Sequence, residues 1–293
     1  MKNTILATML ALATSVASAQ VTVSGKISEW LDSTKTGATR ATSLVTEPTS
    51  NFAFTAGEKL SNGLTARAVV DTSFSGNTIS GSGTQLGDRQ GTVGLASSFG
   101  SIDLGRNVHS EFLAISNNDV FGTMYGSVAG DVHNLRGLRM SNATFVSVTP
   151  VKGITLTADN AQNAVGGNAS SYSASTSAFG LNGTVATYTL GAEKSTVVGL
   201  NTKVGGTTLT YTHSDDKGLH NSKGDLVGVA QSFGPYTGKA SFGKTNTDVK
   251  VYALGLDYNL SKRTAVGVAY SSVDVAGTSH DVSKIGVGLT HRF

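Results

Sequence analysis

The feature that most constrains this chain is an alternation of period two that recurs from one end to the other. It is plainest in the last ten residues, KIGVGLTHRF. There Ile285, Val287, Leu289 and Phe293 are large and apolar, while Lys284, Gly286, Gly288, Thr290 and Arg292 occupy the other parity. Successive side chains of a β-strand point to opposite faces, so such a segment has one apolar and one polar or small face. The stretch 251–258 repeats the pattern, with Tyr252, Leu254, Leu256 and Tyr258 set against Val251, Ala253, Gly255 and Asp257. No long run carries apolar residues at the helical spacings of three and four. The fold class expected is therefore all-β.

Periodicity alone leaves two opposite readings open. In a soluble barrel the apolar row fills the core, and in a membrane barrel it faces lipid. Three further features favour the membrane. Met1-Lys2-Asn3 is followed by an apolar run from Ile5 to Ala13 and then by Ala17-Ser18-Ala19, the form of a secretory signal peptide over residues 1–19. The apolar run is too short to span a bilayer as a helix. The connections also alternate in length. Tight links at 60–63, 98–101, 149–153, 182–183, 205–206, 233–236 and 259–263 interleave with mostly longer ones at 32–49, 74–87, 108–135, 161–172, 215–223 and 274–281, as in barrels with short periplasmic turns and longer outer loops. Finally, the pattern runs to a terminal aromatic residue, as expected where the last strand pairs with the first and an unpaired edge in hydrocarbon would cost several kcal/mol per group.

Composition agrees. Charged residues make up only 14% of the chain, there are 36 glycines, and cysteine is absent, so an exported chain has neither a disulfide framework nor a thiolate metal site. Without Lys2 the balance is 21 cationic side chains against 19 carboxylates, too even for a nucleic-acid binder. About sixteen strands are expected, beginning at VTVSGKI (21–27), in one domain over residues 20–293. Pro48, Pro150 and Pro235 are expected between strands or at a strand start, where no ladder hydrogen bond is lost.

The segments VTVSGKI, GEKLSNGLTARAVVDTSF (57–74), DRQGTVGLASSFGSIDLGR (88–106) and the final GVGLTHRF, in this order behind a signal peptide, resemble the general porins of Gram-negative outer membranes, closest to the trimeric type of β- and α-proteobacteria. The second strand departs from that pattern, opening with Ser50-Asn51 where the family often has an arginine. The resemblance implies a transmembrane antiparallel barrel of sixteen strands in the outer membrane. A long third loop, here about 108–135, would fold into the pore. It also implies a homotrimer embedded in outer-membrane lipid, passing small hydrophilic solutes and ions, with no cofactor and no enzymatic step.

Strand parity places Lys26, Arg67, Arg139, Lys203, Lys239, Lys284 and Arg292 inside the barrel as cations, and Asp71, Asp103 and Asp257 as anions. The expected constriction sets Arg67 and Arg139 opposite the loop acids Glu111 and Asp119, with Asp131 a surface carboxylate, and the cationic excess predicts a weak preference for anions. Three other readings compete. An enzyme is disfavoured because His109, His133, His213, His220, His280 and His291 are scattered without ligand spacing, and no nucleophile elbow is present. His109 and Glu111 read as solvated loop residues, Asp215-Asp216 as solvated carboxylates, and GSGTQLG (81–87) as a loop. A barrel serving only as an anchor, with 161–178 as an exposed loop, would conduct little current. A solute-specific channel would differ only in loop detail.

Overall fold

Strand β1 (Gln20–Thr36) is bonded along both edges, and this closes the structure. One edge pairs with β17 (Val282–Arg292), from Lys26 opposite Arg292 to Thr36 opposite Val282. The other edge pairs first with β3 (Asn51–Lys59) and then with β2 (Thr39–Thr46), which lie end to end as a single stave. The break between those two holds Pro48, so its missing N–H deprives no ladder. The computed structural model describes residues 20–76, 85–135, 137–164, 167–218, 221–277 and 281–293. The expected signal peptide, residues 1–19, lies outside them.

Each remaining strand pairs antiparallel with its sequence neighbour. They are β4 (Thr65–Ser73), β5 (Gln90–Ser97), β6 (Gly100–Val108), β7 (Arg139–Val151), β8 (Ile154–Ala164), β9 (Gly167–Ala178), β10 (Leu181–Leu190), β11 (Glu193–Val204), β12 (Thr207–Lys217), β13 (Lys223–Phe233), β14 (Tyr236–Thr245), β15 (Val249–Asn259) and β16 (Thr264–Val275). With β2 and β3 counted as one stave, this is a closed barrel of sixteen strands. At the seam Gly25 and Phe293 exchange both backbone hydrogen bonds at 3.1 Å, so Phe293 completes the ladder. Among the described residues no helix is long and apolar enough to cross a membrane.

The two parities separate as the alternation requires. Val287 is 56% exposed, Leu289 53% and Leu254 59%, all on the outer face, whereas Val251 and Ala253 on the other parity are buried. An apolar outer face of this extent is stable against hydrocarbon and not against water. Tyr258 and Tyr252 bracket Leu256 and Leu254 along β15, and Lys250 follows Tyr252 two positions further on, placing aromatic rings at the borders of the apolar band.

The apolar core lies inside the barrel, under the third loop. That loop runs from 109 to 138 and carries α1 (Ser110–Ser116) and α2 (Ala129–Val132). Ala114, Ile115, Phe121, Val128 and Val132 from the loop pack with Trp30, Val197, Leu226 and Val251 from the wall. A β-bulge launches the loop: the β6–β7 register shifts between Gly105 and Asn107, with Gly105 at φ +130°. A Cβ there would stand 2.1 Å from the Gly91 carbonyl oxygen, so only glycine fits.

Several boundaries differ from those expected. The link expected at 32–49 is mostly strand, a hairpin of β1 and β2 turning at Gly37, and 161–172 is largely β8 and β9, with 165–166 outside the described residues. Hence 161–178 is not an exposed loop. Asn182-Gly183 lies within β10, the turn being Phe179-Gly180, both at positive φ. Pro150 falls inside β7, where the ladder is already irregular between Val148 and Val151.

Candidate functional site: the lumen and its loop

The seven residues of α1 have two faces. Its start is capped by His109, whose Nδ1 accepts from the Phe112 N–H at 3.2 Å. Glu111, Ala114, Ile115 and, just beyond the helix, Asn118 share one side at helical spacing, and all are buried against the wall. Phe112, Leu113, Ser116 and Asn117 face the other way and are at least partly exposed. The side of α1 turned to the water therefore carries no charge.

The buried face is held by polar anchors. Ser195 Oγ donates to Glu111 Oε1 at 2.6 Å, and the Ser110 N–H donates to Asp159 at 2.7 Å. The His109 ring stacks on Tyr188 with centroids 4.4 Å apart, and Asn201 donates to Asn118 at 2.9 Å. At the far end of the loop both ring nitrogens of His133 are hydrogen-bonded, to Ser214 Oγ at 2.8 Å and Thr212 Oγ1 at 2.7 Å. Burial, reinforced by repulsion from His213 and partly offset by Asp225, pushes His133 down to about 4, so the imidazole is neutral at physiological pH.

Between the helices, Asp119 closes its own turn, accepting from the N–H groups of Phe121 (3.0 Å) and Thr123 (2.8 Å) and from Ser127 Oγ (2.6 Å). The chain then crosses to β1 and β17. The Tyr125 ring stacks on Trp30, and its hydroxyl donates to Asp32. The seat is made by wall glycines: a Cβ on Gly286 would lie 2.3 Å from Tyr125 Oη, and one on Gly288 2.2 Å from the Trp30 ring. The alternation of glycine in GVGLTHRF thus leaves a slot into which loop and tryptophan fit.

Four arginines line the other side of the lumen, on or beside β4–β7. Arg67 forks onto Asp103, with its Nε donating at 2.7 Å, and Gly94 leaves room for the pair. Arg89 pairs with Asp71 at 3.3 Å, and Asp71 also accepts from Asn51 at 2.8 Å. Arg106 donates to the Asp88 carbonyl at 2.6 Å and to Ser141 Oγ. Arg139 stands in the field of Arg89 and Arg106 as well as Asp71 and Asp88, and its buried Nε finds no acceptor among the described residues. Neither Arg106 nor Arg139 has a carboxylate in contact among those residues. Lys26 is committed to Glu47 at 2.7 Å, and Lys239 to Asp257 at 2.7 Å.

Of the expected wall cations, Lys26, Arg67 and Lys239 are tied up in ion pairs, and the acids expected to oppose the arginines are turned away from them. Glu111 and Asp119 are 2% and 7% exposed and bonded inward, one to the wall and one to its own turn. Asp71 and Asp103 are counter-ions on the arginine side. His109 and Glu111 are not solvated but buried side by side, 3.8 Å apart. Asp215 pairs with Lys223 at 3.1 Å and Asp216 is buried. His220, His280 and residues 81–84 lie outside the described residues. Sequence reasoning missed Arg89 and Arg106, although both stand at the ends of strand blocks it had singled out, and it missed Tyr125 and His133, whose roles depend on partners far along the chain.

A family model described as Gram-negative porin matches residues 6–292. Among curated proteins none matches the sequence. Solved structures with the same barrel include the anion-selective porin from Comamonas acidovorans, with 18% identity, 94% of this chain and 100% of that chain covered, and a TM-score of 0.82. OmpF of Salmonella typhi in complex with daunomycin has 15% identity, coverage of 94% and 98%, and a TM-score of 0.79. In-vitro folded OmpT, an outer-membrane protein of Vibrio cholerae, in its trimer form, has 10% identity, coverage of 94% and 100%, and a TM-score of 0.72. Likeness at these identities speaks to the fold.

Proposed function

The chain belongs to the Gram-negative porin family, and from that premise we propose an outer-membrane diffusion channel for small hydrophilic solutes and ions that favours anions. The observation carrying the preference is a cluster of four wall arginines, Arg67, Arg89, Arg106 and Arg139, two of them without a carboxylate in contact among the described residues, together with the water-facing side of α1, Phe112, Leu113, Ser116 and Asn117, which carries no charge. Lys26, Asp71 and Asp103 belong to the wall as paired charges, whereas Glu111 and Asp119 hold the loop.

A pore of this kind selects through its width and wall charge. One unit charge about 6 Å from a passing ion in water is worth roughly 0.7 kcal/mol, or about threefold in local concentration. Arg106 and Arg139, lacking carboxylate partners, set the scale at one to two such factors. The paired arginines contribute chiefly to width.

Three associated features complete the reading. Residues 1–19 act as the export leader. The outer apolar band sits in outer-membrane lipid. Three copies associate, a state supported by the trimer form in which the Vibrio relative was solved. The test is the zero-current potential of the purified protein in a planar bilayer under a potassium chloride gradient. A potential of the sign set by chloride supports the reading, and one set by potassium overturns it.

A further inference from the structure

The loop divides the lumen unevenly. Between it and the stretch of wall made by β1, β2, β16 and β17 lies a cavity of about 450 Å³, bordered at Pro48, whose carbonyl accepts from Arg89 at 2.9 Å. This is within the range of small-ligand sites. Its walls carry two charges of opposite sign that are not joined. Lys284 projects inward from β17, between Thr34 and Ser271 in the ladder, and is exposed to the lumen. Asp131 projects from α2. Among the described residues neither has an ion-pair partner within 4 Å, although the charge of Lys284 is felt at Asp131.

The remaining acid of the cavity is occupied. Asp32 accepts from Tyr125 and, at 2.6 Å, from Thr34. Val45, Pro48, Val273 and Val282 supply apolar surface, and Ser127, Ser271 and Thr34 supply hydroxyls.

We propose that this cavity is a binding subsite for a small amino acid, taken up as a zwitterion, with Lys284 holding its carboxylate, Asp131 its ammonium, and the valines and Pro48 an aliphatic side chain. A solute with both charges satisfies both groups at once, whereas a mono-ion leaves one unmatched. Asp131 stays exposed to the cavity, and partial desolvation beneath the loop, offset in part by Lys284, holds its carboxyl above the usual carboxylate range. The proposal rests on the reading of the barrel as a water-filled channel and adds a place where one class of solute pauses.

The experiment records single-channel current in a planar bilayer with free L-valine, isobutyrate or isobutylamine added in turn from the loop side. L-Valine is expected to interrupt the current, and the two mono-ions are not. Lys284→Gln and Asp131→Asn each abolish the interruptions, while Lys262→Gln, in the turn between β15 and β16, keeps them. No effect of L-valine, an equal effect of isobutyrate or of isobutylamine, or interruptions that survive both substitutions would overturn the subsite. Because the comparison of solutes uses the unaltered protein, it stands even where a variant fails to assemble. Absence of conductance steps altogether would instead contradict the channel itself.

Discussion

The Tyr125 ring lies parallel to that of Trp30, with centroids 4.1 Å apart and an 11° angle between the planes, and both rest in the slot left by Gly286 and Gly288. The loop is thereby fixed to β1 and β17. Replacing Gly288 by Val puts a branched side chain where the indole now lies, and the loop must leave the wall. Single-channel records of Gly288→Val should show a changed step size and added flicker. Tyr125→Phe keeps the stack and loses one hydrogen bond, about 1 kcal/mol, and should leave the step size nearly unchanged.

The two arginines without carboxylate partners should govern ion preference. Arg106→Ala is expected to reduce the anion-to-cation permeability ratio by about threefold, one unit charge near the passing ion. Asp103→Asn moves it the other way by freeing Arg67 from its counter-ion. The zero-current potential of each variant measures both shifts, and equal ratios in the two would contradict the assignment of the wall.

Acid should loosen the loop through His133. Its pKa is depressed to about 4 when seated, against 6.5 when released, so above about pH 6.5 both states are neutral and the residue adds no pH dependence. As pH falls from 6.5 towards 4 only the released loop takes up the proton, and seating weakens by up to about 3 kcal/mol. Below 4 the loss is complete and constant. Current fluctuations recorded across this window should rise in the unaltered protein and stay flat in His133→Asn.

Gly105 is the hinge at which β6 gives way to the loop. Gly105→Ala meets both a positive φ and the Gly91 carbonyl, with a strain of about 1–3 kcal/mol or more. The variant should refold in detergent with lower yield than Gly57→Ala, whose Cβ has open space. Equal yields would show that the bulge tolerates a side chain.

What the sequence made legible follows from which solvent touches each residue. Ile285, Val287 and Leu289 face hydrocarbon, which enforces strict alternation, so the apolar row of β17 is readable from the pattern, and the signal peptide and loop lengths turn it outward. The β1–β2 hairpin around Gly37 obeys no such rule. Its eight-residue β2, TRATSLVT, is exposed or half-buried throughout, and it looks like a loop until its pairing is seen. Strand parity assigns the wall cations a side from the sequence alone. It assigns none to the loop acids, whose direction follows a helical face on seven residues of α1 and a local turn around Asp119, and counting charges in 108–135 gives neither. Burial of Glu111 is decided by Ser195, eighty-four positions away.

The loop is seated inside a closed barrel with the uncharged side of α1 to the water, and the absence of cysteine from the sequence permits a direct measurement of that placement. Leu113→Cys and Ile115→Cys, each the only thiol in the protein, are exposed to a charged, membrane-impermeant thiol reagent while the current is recorded in a planar bilayer. Current through Leu113→Cys should fall on addition of the reagent, and Ile115→Cys should be unaffected. A loss of current in Ile115→Cys with none in Leu113→Cys would contradict the placement of the loop.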